Sequence, residues 1–366
     1  MNTDLDAPYL RLDPAVLETN IRNMARSAAA RGLSLWPHAK THKSREVARR
    51  QLDAGAAGLT VATVGEAEVF AALGVPGLFI AYPLWVTGDR ARRLQAVASQ
   101  TQLRIGVDSL PAAQQLARFK IPAEVMIEVD SGHHRSGCRP AAAGELAAQV
   151  SALGLAVAGV STFPGHSYAP GQGTLAADDE RLALAAALDR IQAAGVPAEL
   201  ASGGSSPSAA YARSSPSAAY ARSVLTDIRP GVYVFNDAQQ LELGVCGLED
   251  IALSVVATVV SKAGGRVILD SGTKSLGADR PAWTTGHGRL LEFPDARITA
   301  ASEHHATVEM SGPLPALGTR VLVAPNHACN AVNLHDRYVL STAASGSTLD
   351  PADELCFRFL GRLLGR

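Results

Sequence analysis

Between residues 33 and 235 short runs rich in Val, Ile and Leu alternate with longer Ala-rich stretches whose apolar residues recur at helical spacing. The short runs fall at 33–40 (LSLWPHAK), 58–63, 77–83, 102–109, 123–130, 155–163, 198–204 and 227–235. Each has strand length, and each is followed by a stretch long enough for a helix. Eight such units predict an α/β fold, a parallel (β/α)8 barrel of the TIM type, with a doubly wound open sheet as the other arrangement this alternation permits. Polar residues gather at the C-terminal ends of the strands: Lys40, Asp108, Asp130 to Arg135, His166 and Tyr168, and Ser202 to Ser205. A barrel carries its chemistry at that rim.

Beyond about residue 240 the texture changes to strands separated by turns, with little helix, which predicts a second, mainly β domain. The expected division is a barrel over 14–238 and a β domain over 239–366, joined by an N-terminal strand at 7–13. Asp13 and Pro14 are suited to cap and begin a helix leading into the barrel. The segment SSPSAAYAR occurs twice, at 205–213 and 214–222. Nine residues make two and a half helical turns, so a second copy would rotate the end of a helix to its opposite face. One copy is expected to loop out, or to form an extra turn, between strands seven and eight.

Composition narrows the function classes. A net charge of −1 over 366 residues gives no basic surface for nucleic acid. No apolar run approaches the roughly 18 residues of a membrane span, and the polar N-terminus lacks a signal-peptide core. Four cysteines without paired spacing fit a reducing, cytoplasmic setting.

Of only five lysines, two lie in WPHAKTHKS at the end of the first predicted strand. Lysine, unlike arginine, can lose its proton and form a Schiff base. Alternation along a strand would put His38, Lys40 and His42 on one side, with Lys43 past the strand end. Across the rim, SGGSS (202–206) and RPGVYVF (229–235) follow strand seven and form strand eight, where barrels often bind phosphate. Gly203, Gly204, Gly231 and Val232 would cup the phosphate, with Ser202, Ser205 and Tyr233 adding hydroxyls. A lysine facing a phosphate cup describes a pyridoxal phosphate site. Tyr168 and Arg135 stand at the rim to meet the ring nitrogen and the phenolic oxygen. In a strand, His327 and Cys329 of NHAC would project to one face about 7 Å apart, a spacing that suits two ligands of one metal. Histidine with thiolate favours zinc; a carboxylate in place of the thiol would favour Mg or Mn.

Together PHAKTHK, GHSY, SGGSS, RPGVYVF and PNHACNAVNLHD resemble the fold-type III pyridoxal phosphate enzymes, specifically the D-serine dehydratase and D-threonine aldolase group, relatives of alanine racemase. The resemblance runs from about residue 7 to 340. It implies a Schiff base on Lys40 and a metal on His327 and Cys329. It implies Tyr168 or Arg229 at the ring nitrogen, the latter as in alanine racemase. The implied activity is a lyase acting on β-hydroxy D-amino acids, most simply elimination to a keto acid and ammonia. Retro-aldol cleavage to glycine and an aldehyde uses the same parts, and racemisation is a further alternative that would need a second base such as Tyr338. A homodimer is implied as well, with the β domain of one subunit facing the barrel rim of the other.

Overall fold

The structure, a computed structural model, describes residues 5–211, 224–341 and 357–358. The described chain divides into two units, one formed by residues 22–231 and the other by 5–21 with 232 onward.

The first unit is the barrel. Its strands are β2 (Ser34–Leu35), β3 (Leu59–Val61), β4 (Gly77–Pro83), β5 (Gln102–Val107), β6 (Glu124–Glu128), β7 (Val157–Ser161), β8 (Leu200–Gly203) and β9 (Asp227–Ile228). All pair in parallel, from β3 through β8 in chain order and on to β9 and β2. The ring closes between β2 and β3, where Ala57 N donates to Leu35 O and Thr60 N to Pro37 O, each at 2.9 Å. Strands covered on both faces can be apolar throughout, and all three residues of β3 are buried. The helices between them are α2 (Arg45–Asp53), α3 (Val64–Ala71), α4 (Gly88–Ala98), α5 (Leu110–Arg118), α6 (Ala143–Ala152), α7 (Gly173–Ala193) and α8 (Ser206–Tyr211). Ser44 and Thr63 cap α2 and α3, each accepting the backbone N–H three residues on.

Strand one is shorter than its apolar run suggests. The ladder runs on to His38 N, and directly after it the chain turns into a 3-10 helix at Ala39–Thr41. Lys40 therefore sits on a turn past the strand rather than on it. His42 does not share its side: it is fully buried, with Nε2 3.2 Å from Gln51 Oε1 and Nδ1 accepting from Ser44 N. Of the tandem repeat, the first copy begins α8, and residues 212–222 lie outside the described residues.

In the second unit β10 (Leu253–Ser261) is the spine of a nine-stranded sheet. It pairs antiparallel with β1 (Tyr9–Leu12), β11 (Val267–Leu269) and β15 (Arg320–Ala324). β12 (Arg289–Leu290), β13 (Arg297–Ala301), β14 (Ala306–Glu309), β16 (Arg337–Leu340) and β17 (Phe357–Arg358) extend it. The N-terminal strand β1 thus pairs within the β unit. Asp13 then caps α1 (Pro14–Ala29), accepting from Ala15 N and Val16 N at 3.1 and 3.2 Å. NHAC is not a strand. Pro325 ends β15, and Ala328–Val332 is a helix with His327 at its N-cap. The Asp237 carboxylate accepts Ala328 N at 3.0 Å and so fixes where this helix starts. Among the described residues no helix is long and apolar enough to cross a membrane.

Trp36 fills the barrel interior against Phe79 and Met126. It fits because β4 and the entry to β3 present glycines: a Cβ on Gly58 or Gly77 would fall 2.5 or 2.6 Å from its ring. Arg104 covers the ring at 4.4 Å. Trp36→Ala would leave a cavity these glycines cannot fill, and a loss of about 3–5 kcal/mol is expected in denaturant unfolding.

Candidate active site

At the C-terminal rim of the barrel lies a cavity of about 460 Å³, lined by His38, Lys40, Tyr82, Asp108, Arg135 and Ser136 among others. These residues come from the loops after β2, β5 and β6 and from the end of β4, where a barrel of this kind places its chemistry. Lys40 Nζ lies 5.8 Å, and the Arg135 guanidinium 5.0 Å, from the centre of the Phe163 ring. Tyr168 stands 6.3 Å from the same ring, centre to centre. Three of the residues singled out from the sequence are thus gathered around Phe163. That phenylalanine was not picked out; its place after β7, three residues before His166, was the available signal. Lys43 has another engagement: it pairs with Glu66 at 3.8 Å. Burial, and then the charges of Lys40 and Arg229, push the His38 pKa well below the usual histidine range. A neutral ring therefore faces the cavity beside Lys40.

The Arg135 loop is held by carboxylates. Ser136 Oγ donates to Glu128 at 2.6 Å, Gly137 N to Asp108 at 3.2 Å, and Gly132 N and His134 N to Asp130 at 2.9 and 3.0 Å. Glu128 is buried at the end of β6. The loop after β8 is held in the same way by Glu180 of α7, which accepts Gly204 N at 2.6 Å. A Cβ on Gly203 would overlap that carboxylate, and Gly204 has a φ of +79°, so both positions require glycine. Ser202 donates to Asp227, and Ser205 Oγ lies 2.8 Å from Ser167 Oγ. Gly231 lies against the Lys40 turn, where a Cβ would meet Thr41 Oγ1 at 2.7 Å. Val232 and Tyr233 begin the second unit in a buried 3-10 turn. Arg229 is buried in the barrel, its guanidinium over Phe79 and donating to Thr162 O. Burial lowers its pKa and raises that of Asp227.

In the second unit the side chains of His327 and Cys329 are within hydrogen-bonding reach of each other. His327 Nδ1 is 2.7 Å from Asp279 Oδ2. Cys329 is buried, and Tyr338 is wholly buried with its pKa driven far up by burial and then by Cys329.

Residues 12–239 match the sequence profile of the alanine racemase N-terminal domain, and residues 252–341 match one described as a serine dehydratase domain. D-threo-3-hydroxyaspartate dehydratase of Delftia sp. (strain HT23) is 34% identical over 89% of this chain and 91% of its own. The chain belongs to the fold-type III pyridoxal phosphate enzymes. Within that family it lies in the lyase group: D-threonine aldolase of Arthrobacter sp. is 31% identical over 92% of this chain and 89% of its own, and D-serine dehydratase of Dictyostelium discoideum 25% over 92% and 94%. The solved Delftia dehydratase matches this fold with a TM-score of 0.84 at 31% identity, covering 98% of both chains. A D-threo-3-hydroxyaspartate dehydratase has also been solved with a histidine-to-alanine substitution and, in a metal-free form, with a cysteine-to-alanine substitution two residues further on.

Burial raises the Glu128 pKa, against the Ser136 hydrogen bond and the Arg229 charge. The folded chain then keeps this proton to a higher pH than the unfolded chain does. The resulting stability is full below the unfolded pKa of about 4.3 and is lost as pH rises through the folded one. Glu128→Gln removes that dependence. Between about pH 4 and pH 8 the difference in melting temperature should shift in favour of the variant. A constant difference would mean that the fold does not raise the Glu128 pKa.

Proposed function

We propose that this chain is a pyridoxal phosphate- and metal-dependent lyase that eliminates water from β-hydroxy D-amino acids. The observation that carries the reading is the His327–Cys329 pair, drawn together at the start of a helix. A nitrogen and a sulfur ligand two residues apart suit zinc and leave positions open for a substrate hydroxyl. The residue types and spacing agree with the pair substituted in the solved D-threo-3-hydroxyaspartate dehydratase variants.

The barrel cavity suits a small planar ligand in size, and the amine of Lys40 and the guanidinium of Arg135 in its lining, both close to the Phe163 ring, suit one that carries negative charge. Lys40 would hold the cofactor aldehyde, Arg135 its phenolic oxygen and Tyr168 its ring nitrogen. Arg229 is the other candidate for the last role: one of its amino groups donates to Thr162 O, and its buried Nε has no hydrogen-bond partner among the described residues. Ser202, Gly203, Gly204, Gly231, Val232 and Tyr233 would surround the phosphate. Gly204 N is already given to Glu180, so this glycine would allow close approach rather than donate. When bound, the cofactor supplies an electron sink for charge left at Cα, and the metal a Lewis acid for the departing hydroxyl. Lys40 then moves the Cα proton. Burial of Tyr338 speaks against racemisation with that tyrosine as second base. The resemblance to this group supports a homodimer, and the free thiols of Cys138 and Cys246 support a cytoplasmic setting.

Incubation with D-serine, D-threonine and D-threo-3-hydroxyaspartate should give keto acid and ammonia. Glycine and an aldehyde would make it an aldolase instead, and scrambled chirality alone a racemase. Chelation should stop keto acid formation while leaving the pyridoxal content unchanged. Borohydride reduction should tag Lys40, and Lys40→Ala should lose both the tag and roughly a thousandfold or more of the rate. A tag on another lysine would overturn the assignment.

A further inference from the structure

Asp279 has no part in the reading above, yet it is in close contact with His327. The two are 48 residues apart in sequence, and their side chains meet at 2.7 Å, Oδ2 to Nδ1. An imidazole offers a metal only one nitrogen at a time, and the other settles its tautomer and the tilt of the ring. With Nδ1 bonded to a carboxylate, Nε2 is the nitrogen left for a ligand bond. The carboxylate is itself held in place. Asn330, one turn along the helix that His327 caps, hydrogen-bonds it through its side chain. Asn326 Nδ2 donates to Asp279 O and to Gly286 O, both at 2.9 Å, which ties down the loop that carries Asp279.

We infer that Asp279 is a positioning residue for the metal site: it fixes the ring of His327 with Nε2 presented to the ion, and Asn326 and Asn330 hold it there. This rests on the metal reading of His327 and Cys329. A carboxylate behind a ligating histidine orients the ring and increases its basicity, and loss of such a partner typically weakens metal binding by roughly ten- to a hundredfold.

Zinc affinity of the metal-stripped, cofactor-loaded protein, measured by competition with a chromophoric chelator, separates the possibilities. Asp279→Ala should weaken zinc by roughly ten- to a hundredfold. Asp279→Asn keeps an acceptor for Nδ1–H without the charge and should lose less. His327→Ala should abolish binding. If Asp279→Ala melts far below the parent, the isosteric Asp279→Asn is read in its place, with a measurable loss expected. Wild-type affinity in the variant that is read would overturn the inference. So would a loss in Asp279→Ala as complete as in His327→Ala, which would make Asp279 a ligand. A parent protein that takes up no zinc would instead overturn the metal reading itself, and this inference with it.

Discussion

The barrel depends on its weakest seam. A closed parallel sheet has no edge only if the first and last strands meet, and here both are two residues long. Three backbone bonds on one side of the first strand hold it to the last: Ser34 N to Thr226 O, Trp36 N to Ile228 O and His38 N to Pro230 O, at 2.9 to 3.0 Å. On the other side, Thr60 bonds the carbonyls of both Trp36 and Pro37. The last of these contacts ends two residues before Lys40, so the seam that closes the barrel also fixes where the lysine emerges. Proline at position 37 is compatible with this pairing because the bonds use the N–H groups of residues 34, 36 and 38, and none is called for from residue 37, which has no N–H to give.

Buried charge supports the rim from below. Asp227, Arg229, Glu128 and Glu180 are all nine-tenths or more buried. Leaving any one alone would be strongly unfavourable, since an unpaired ion in a dry interior costs several kcal/mol. Each acts on Arg229 or is acted on by it, and the carboxylates also take hydrogen bonds from Ser202, Ser136 and Gly204 N. Arg229 is thus the centre of a scaffold that anchors two rim loops. That role accounts for a guanidinium in the barrel interior without requiring it to touch a ligand.

Much of this was readable in the chain because it is local. Parallel strands buried on both faces declare themselves as apolar runs, and rim residues follow at their ends. Lys40, Arg135 and Tyr168 could be singled out for that reason. Phe163, Glu128 and Glu180 could not, because what they do depends on which loops the barrel brings together. Glu180 meets Gly204 across 24 residues and Asp279 meets His327 across 48. Alternation misled at two places for one reason. Both HAKTHK and NHAC follow a proline, and in each the chain leaves the strand and turns.

The turn at NHAC has a chemical consequence that a strand would not have. Within a regular helix, residues two apart point about 200° away from each other and could not share an ion. His327, however, is the N-cap, with extended backbone at φ −133° and ψ 106°, and only Cys329 has entered the helix. The change of conformation between them lets the two side chains converge. The start of the helix therefore has to be fixed to the residue. A helix beginning one position earlier would put His327 inside the first turn and swing the pair apart. The Asp237 carboxylate prevents this by holding Ala328 N while also capping the helix at Ala238–Glu242 through Gln240 N. Burial raises the Asp237 pKa to about 6, against those same hydrogen bonds, so a charged carboxylate is kept there at some expense in stability. Its position is set by the two helix starts it joins, and the geometry of the His–Cys pair follows from the second of them.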